Sequence, residues 1–215
     1  MANDQESYIL DHSSHEDPLL AELFRFTHLN VINPNMASGH LQGKFLEFIT
    51  FMAKPEFALE IGTYTGYSAI SIARGLPEGG VLHTIDNNDE LAEISASYFS
   101  RAQLSHKIIA HTGSAQDIVP SLNIMFNLIF IDGDKREYVD YYHLALKCLA
   151  PGGIILADNV LWGGKASAGG TKDSQTAGII AFNDVVRSDQ SVEKVILPMR
   201  DGMMMIRRRA QGKGV

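Results

Sequence analysis

FALEIGTYTGYSAISIARGL, residues 57–76, is the stretch on which the reading of the fold turns. FALEIG is a short apolar run of strand length, closed by a glycine. GTYTG is a turn whose two glycines let the backbone bend sharply and lie close to a neighbour. YSAISIARGL has apolar residues at helical spacing and is stopped by Gly75 and Pro77. Strand, glycine turn and helix make the first half of a parallel β-α-β unit.

The same alternation continues downstream. VLHTID (81–86) predicts a strand and NDELAEISASYFSRAQL (88–104) a helix. KIIAHTG (107–113) predicts a strand and AQDIVPSL (115–122) a short helix. NLIFIDGD (127–134) is a strongly apolar strand, and REYVDYYHLALKCL (136–149) a helix. Pro151-Gly152-Gly153 turns the chain into the strand IILADN (154–159). A Gly-rich loop, WGGKASAGGTKD (162–173), leads to the helix TAGIIAFNDVVRSD (176–189). VEKVILPM (192–199) and GMMMIRRR (202–209) close the chain as a hairpin turned at Arg200-Asp201-Gly202. Apolar strands alternating with helices mean a sheet covered on both faces. The expected fold is therefore α/β: a doubly wound, mostly parallel seven-stranded sheet with a terminal antiparallel hairpin.

Upstream, the first ~55 residues read as helices. Pro18 opens PLLAELFRFTHL, Asn33-Pro34-Asn35 interrupts, and LQGKFLEFITFM (41–52) is a second amphipathic helix ended by Pro55. The 215 residues are 45% hydrophobic and 20% charged, ordinary for one globular domain. One domain is expected over 1–215, with 1–55 a helical cap and 56–215 the α/β core. The net charge is -7, from 18 Lys and Arg against 25 Asp and Glu, which disfavours an extended nucleic-acid footprint. The single cysteine, Cys148, excludes an intramolecular disulfide and sits in an apolar run where packing is its natural role. The opening MANDQESYILDHSSHEDP has neither a basic n-region nor an apolar h-region. No apolar run reaches the ~20 residues of a membrane helix. A cytoplasmic protein with no membrane partner is expected.

The sharpest feature is positional. Glu60, Asp86, Asp132 and Asp158 each fall at the C-terminal end of a predicted strand, the edge at which open α/β sheets bind ligands. Taken singly, each reads also as a solvated loop acid or a helix N-cap. Together, four carboxylates at one crevice repel unless cations sit among them. The cation is a positively charged cofactor, a metal, or both. Glycine spacing points to the cofactor. Gly62 and Gly66 give G-x-x-x-G rather than the G-x-G-x-x-G that cradles pyrophosphate. Glu60, two residues before Gly62, would repel a pyrophosphate but suits S-adenosylmethionine, which carries an ammonium and a sulfonium. Asp86 lies 24 positions after Gly62, near the roughly 20-residue offset of a ribose-binding acid. No G-x-x-x-x-G-K-[ST] occurs. Asp132-Gly133-Asp134-Lys135 and Asp158-Asn159 form a second, oxygen-only set, suited to Mg²⁺, Ca²⁺ or Mn²⁺. The eight histidines are scattered and form no zinc-type cluster.

LEIGTYTGYSA, FIDGDKREY, LAPGGIILADNVLWGGK and LPMRDGMMMIRR, in this order, closely resemble the metal-dependent O-methyltransferases, with the caffeoyl-CoA and catechol enzymes and many bacterial relatives. The resemblance spans about Met36 to Arg208. It implies Asp132, Asp158 and Asn159 as metal ligands. It implies cofactor contacts at Glu60, Gly62, Ser68, Asp86, Ala115 and Asp132, with Thr63, Tyr64, Asn87 and Ser114 beside them and Asp134 as a further acid. Met36 through His40 would cap the cofactor, with Met36 against it and Ser38 and His40 facing the acceptor. Lys135 would be the general base, acting with Asp132. A dimer of identical chains is implied, with the N-terminal helices as contacts.

Two departures stand out. Gly133 replaces the family's usual Ala, a change expected to add backbone freedom. The loop from Gly163 to Asp173 is small-residue-rich with no aromatic after Trp162, so the acceptor stays open. The implied reaction is methyl transfer to a hydroxyl of a catechol-like or other vicinal-oxygen small molecule chelated to the metal. Trp162 would form a pocket wall, and Tyr64 and Tyr67 flank the cofactor turn. Rival readings are methylation of a hydroxylated tRNA base, for which Arg207-Arg208-Arg209 and Lys213 are the basic cluster, and a non-catalytic cofactor-binding module. An NAD-dependent dehydrogenase is disfavoured by Glu60.

Overall fold

The computed structural model of the chain describes residues 2–168 and 173–209. Before the sheet come α1 (Ala2–Asp11), α2 (Pro18–Asn30) and α3 (His40–Ala53). Then β1 (Phe57–Ile61), α4 (Tyr67–Gly75), β2 (Val81–Asp86), α5 (Ala92–Arg101), β3 (Ile108–Thr112) and α6 (Ala115–Leu122) alternate. They are followed by β4 (Phe126–Ile131), α7 (Tyr138–Cys148), β5 (Leu149–Ala157), the short α8 (Lys165–Ala168) and α9 (Ser174–Ser188). The strands β6 (Val192–Leu197) and β7 (Met203–Arg208) close the chain.

The seven strands form one sheet in the order β3-β2-β1-β4-β5-β7-β6. β1 to β5 pair in parallel, and β7 inserts antiparallel between β5 and β6. The expected doubly wound sheet with its terminal hairpin is what the chain forms. Strand order reverses between β1 and β4, where an open sheet parts at its carboxyl edge and leaves a crevice.

Each face has its own core. On one side Leu59, Ile61, Ile129 and Ile131 pack with Tyr138, Tyr142 and Phe182 of α7 and α9. On the other, Ala58, Leu128 and Phe130 pack with Ile70 of α4 and with Leu20, Leu23, Leu46 and Ile49 of α2 and α3. α2 and α3 therefore complete a face of the sheet rather than stand apart from it. Each such side chain, removed from water, contributes about 1.5–3 kcal/mol. α2 starts where the sequence suggests: Pro18 is in its first turn and the Asp17 carboxylate accepts from the Leu19 and Leu20 N–H groups.

α1 falls within the stretch read as helical, and its Tyr8, Ile9 and Leu10 stay exposed. One element departs from expectation. Pro151-Gly152-Gly153 lies inside β5 instead of preceding it. There Phe126 pairs with Leu149 but Leu128 with Ile154, so the β5 side carries the excess residues as a bulge. Pro151 has no N–H for the ladder and Gly152 sits at φ +77°, which is why the extra residues leave the pairing here. No helix among the described residues is long and apolar enough to cross a membrane.

Candidate active site at the carboxyl edge of the sheet

Register alone brings the acids together. Ile61 pairs with Ile85 and Ile131, and Ile131 with Ala157. The next residues are Gly62, Asp86, Asp132 and Asp158, which therefore leave the sheet side by side. Cross-strand bonds hold that row: Gly62 N–H to Ile85 (2.8 Å), Asp132 N–H to Ile61 (2.8 Å) and Asp158 N–H to Ile131 (3.0 Å). Asp86, Asp132 and Asp158 open into a cavity of about 710 Å³, the size of a small-molecule site. Gly62 has φ +108°, and a Cβ there would run into the Asp132 carbonyl oxygen. Only glycine lets β1 turn this close to β4.

Glu60 lies one row deeper and is fully buried, beneath the cavity rather than lining it. Thr63 passes a hydrogen bond to Thr84 (2.5 Å), which donates to Glu60 Oε2 (2.5 Å). Oε1 has no partner. Burial pushes the carboxyl up to about 8, opposed by the Ser68 and Thr84 hydroxyls, with Asp132 and Asp86 adding to the rise. An acid so placed lacks a positive neighbour. A cationic group entering from above would supply one, and this fits the ammonium and sulfonium of S-adenosylmethionine.

The rest of the expected cofactor site surrounds the first turn. Tyr64, at φ +50°, donates its N–H to Asp86 Oδ2 (2.7 Å). Its hydroxyl reaches the carbonyls of Ile32 (3.0 Å) and Asn33 (3.3 Å), tying the turn to the segment before α3. Met36, Ser38, Thr63, Ser68, Asn87, Ser114 and Ala115 all line the cavity. Asp134 lines it too, but its carboxylate is clasped by the Arg136 guanidinium, which holds its pKa below the usual range. His40 is a correction: it is absent from the cavity wall, and its Nε2 donates to the Ser14 carbonyl (2.7 Å). As the first residue of α3 it turns toward the N-terminal segment, away from the acceptor side.

Asp132, Asp158 and Asn159 line the same cavity. Burial raises the Asp158 carboxyl to about 7, with the Asp132 charge next and a hydrogen bond from Gln42 (2.6 Å) opposing. Burial also raises Asp132, against the ammonium of Lys135. Asn159 is held at φ +58°, a conformation asparagine tolerates better than most residues. Among the described residues no three His, Cys, Asp or Glu side chains gather as a metal-binding group. Two acids and one amide are instead the hard-oxygen set that a Mg²⁺-like ion takes, with further positions left for water or an acceptor. These two acids share the Lys135 ammonium and both still resist ionisation, so the residues fit a further cation.

Lys135 is nearly buried, and its Nζ donates to Asp132 Oδ1 (2.8 Å) and to the Tyr138 hydroxyl (2.7 Å). Tyr138 in turn donates to the Asp158 carbonyl (3.1 Å). The Lys135 N–H bonds Gln175 Oε1 (3.1 Å). Trp162, at φ +49°, lines the cavity with its Nε1 enclosed and unpartnered. Gly133 is not in the left-handed region, so backbone freedom is not its role. A Cβ there would stand 3.0 Å from the Tyr141 ring and 3.3 Å from Ile61; the missing methyl makes room for Tyr141. The basic run is engaged within the fold: Arg207 pairs with Glu193, while Arg208 and Arg209 donate to backbone carbonyls of Leu146 and Val192. Lys213 and residues 169–172 of the Gly-rich loop lie outside the described residues.

Several site residues were not anticipated. Gln116 and Tyr141 both bond Glu137 Oε2 (3.0 and 2.7 Å) beside Ala115. Gln42 and Arg200 stand behind Asp158. Gln42 left a signal: with Leu46 and Ile49 it occupies the buried stripe of α3, where a polar residue needs a partner.

A family model described as O-methyltransferase matches residues 10–209. The chain is 34% identical, over 199 residues, to a catechol O-methyltransferase of Niastella koreensis, covering 90% of this chain and 89% of the relative. It is 31% identical to caffeoyl-CoA O-methyltransferase 2 of Zea mays, covering 96% and 83%. Its fold matches the O-methyltransferase TomG of Streptomyces achromogenes, solved in complex with SAM, at a TM-score of 0.89 and 29% identity, over 96% of each chain.

Proposed function

Because the chain belongs to the O-methyltransferase family, we propose that it moves the methyl group of S-adenosylmethionine to one hydroxyl of a catechol-like acceptor, with a divalent cation. One observation carries this reading. Asp132 and Asp158, both resisting ionisation, open side by side into the cavity that Asp86, Ala115 and Trp162 also line.

Asp86 accepts the ribose hydroxyls with a carboxylate already oriented by the Tyr64 N–H. Ala115, with no long side chain, leaves a flat surface for the adenine. Glu60 and Asp132 supply the negative potential that the sulfonium and ammonium need. Asp132, Asp158 and Asn159 hold the cation, which when bound lowers the pKa of an acceptor hydroxyl. Trp162 walls the acceptor ring. In its neutral form the Lys135 amine keeps N–H groups for Asp132 and the Tyr138 hydroxyl, which fix its position, and has a lone pair that receives the hydroxyl proton. The acceptor oxygen then bonds the methyl carbon as the carbon–sulfur bond breaks, leaving a neutral thioether. Positioning and charge complementarity are the chain's main contribution. A second copy of the chain is proposed to cover α3, where Phe48, Phe51 and Met52 are 56%, 66% and 64% exposed.

Labelled S-adenosylmethionine, offered with a panel of vicinal diols and with bulk tRNA, with and without Mg²⁺, tests the substrate class. Label in the diols only with Mg²⁺ present supports the proposal. Label in tRNA alone overturns it in favour of nucleic-acid methylation, and no transfer with retained cofactor binding leaves a binding module.

A further inference from the structure

Gln42 belongs to α3 and Arg200 to the turn between β6 and β7, yet Gln42 bridges the Arg200 guanidinium to the Asp158 carboxylate. Gln42 is 1% exposed. Its Nε2 donates to Asp158 Oδ2 at 2.6 Å, and its Oε1 accepts from Arg200 Nη1 at 2.9 Å. The same Nη1 donates to the carbonyls of Ala37 (3.0 Å) and Ser38, and Nη2 to that of Asn35 (3.5 Å). Arg200 sits at φ +48°, an uncommon conformation for a side chain of its size.

The chemistry of the two groups removes an ambiguity. A glutamine amide can present either oxygen or nitrogen to a neighbour, whereas guanidinium only donates. Arg200 therefore draws Oε1 to itself and leaves the NH₂ group facing Asp158. That group occupies Oδ2, so Oδ1 is the oxygen left for a cation. A Gln42 amide turned the other way would set oxygen against oxygen at a buried carboxylate, which is costly.

We propose that Gln42 and Arg200 are a positioning pair: Arg200 fixes the Gln42 amide, and Gln42 fixes Asp158 so that a single oxygen faces the divalent cation. The pair rests on the cation reading above. It also joins that site to the Asn35–Ser38 segment of the cavity wall, because one guanidinium holds both. Neither residue is among the three proposed cation ligands, and Gln42 lies outside the cavity wall that Arg200 helps to line. Outer partners of this kind typically change metal affinity by 10- to 100-fold when removed.

The test is Mn²⁺ binding to the full chain, followed by electron paramagnetic resonance without acceptor, in wild type, Gln42→Met, Arg200→Met and the double variant. S-adenosylmethionine affinity by calorimetry and the near-ultraviolet circular dichroism of each protein report on folding. Both single variants are expected to weaken Mn²⁺ by about 10- to 100-fold, while Gln42→Met, which leaves the Arg200 bonds to the Asn35–Ser38 segment in place, keeps cofactor affinity within about threefold. The double variant is expected to be no weaker than Gln42→Met, because Arg200 acts through Gln42. Arg200→Lys, which keeps a donor-only cation, should restore most of the affinity. Wild-type Mn²⁺ affinity in Gln42→Met, or losses that add in the double variant, overturns the pair while leaving the cation reading intact. No Mn²⁺ binding by wild type overturns the cation reading, and the pair with it. Should Gln42→Met fail to fold, the contrast between Arg200→Met and Arg200→Lys decides: equal loss in both overturns the pair.

Discussion

Glu60 is a carboxylic acid whose folded environment favours the protonated form, moving it from near 4.5 to about 8. The native protein without cofactor therefore binds more protons than the unfolded chain between those values. Stability is full below the unfolded pKa and falls as pH rises through that window. The shift corresponds to at most about 5 kcal/mol, before relaxation and water entry reduce it. Asp158, raised to about 7, acts in the same direction over a narrower range. The Tm of the cofactor-free protein is expected to fall between about pH 5.5 and pH 8.5, and Glu60→Gln to flatten that fall. A wild-type Tm that rises across this range would show Glu60 ionised in the native state. Glu60, Asp86, Asp132 and Asp158 were legible as a set because the end of a strand is visible in one dimension. Gln42 and Arg200 were not: Gln42 reaches Asp158 from α3, Arg200 reaches Gln42 from a distant turn, and only the folded chain brings them together. His40 misled because its neighbours in sequence, Ala37 and Ser38, do line the cavity while its own ring turns to Ser14.

The seven strands could be read off the sequence because each is an apolar run bounded by turn residues, and each parallel strand is followed by a helix. The bulge in β5 could not, since Pro-Gly-Gly signals a turn more strongly than an interrupted strand. Element packing also reverses a propensity rule at Gly178. Replacing glycine by alanine within a helix normally gains up to about 1 kcal/mol. In α9 a Cβ at Gly178 would collide with the carbonyl of Lys135. The helix and the Lys135 turn lie backbone to backbone, so Gly178→Ala is expected to cost about 1–3 kcal/mol and to slow turnover by shifting Lys135. Calorimetry and steady-state rates check both. Gly178→Ala with raised Tm and full activity would mean that α9 yields freely.

At the scale of the molecule, the two faces of the sheet are unequally finished. α2 and α3 cover part of one face, and α3 still shows Phe48, Phe51 and Met52 to solvent at helical spacing. Apolar stripes of this size are usually covered by a partner. The wild type is expected to elute at twice the 23.6 kDa of one chain, and Phe51→Glu to shift it toward the monomer in light scattering. A monomeric wild type would remove the second copy from the account without touching the cavity. The central claim is that four strands end together so that Asp132 and Asp158 can share a cation beside the methyl donor. Methyl transfer to catechol in wild type and Asp158→Ala, with chelator and after Mg²⁺ is restored, tests it most directly, with S-adenosylmethionine affinity measured alongside. The account predicts wild-type transfer abolished by chelator and recovered with Mg²⁺, and transfer by Asp158→Ala at least about 100-fold lower with cofactor still bound. Undiminished transfer in chelator, or by Asp158→Ala, would contradict it.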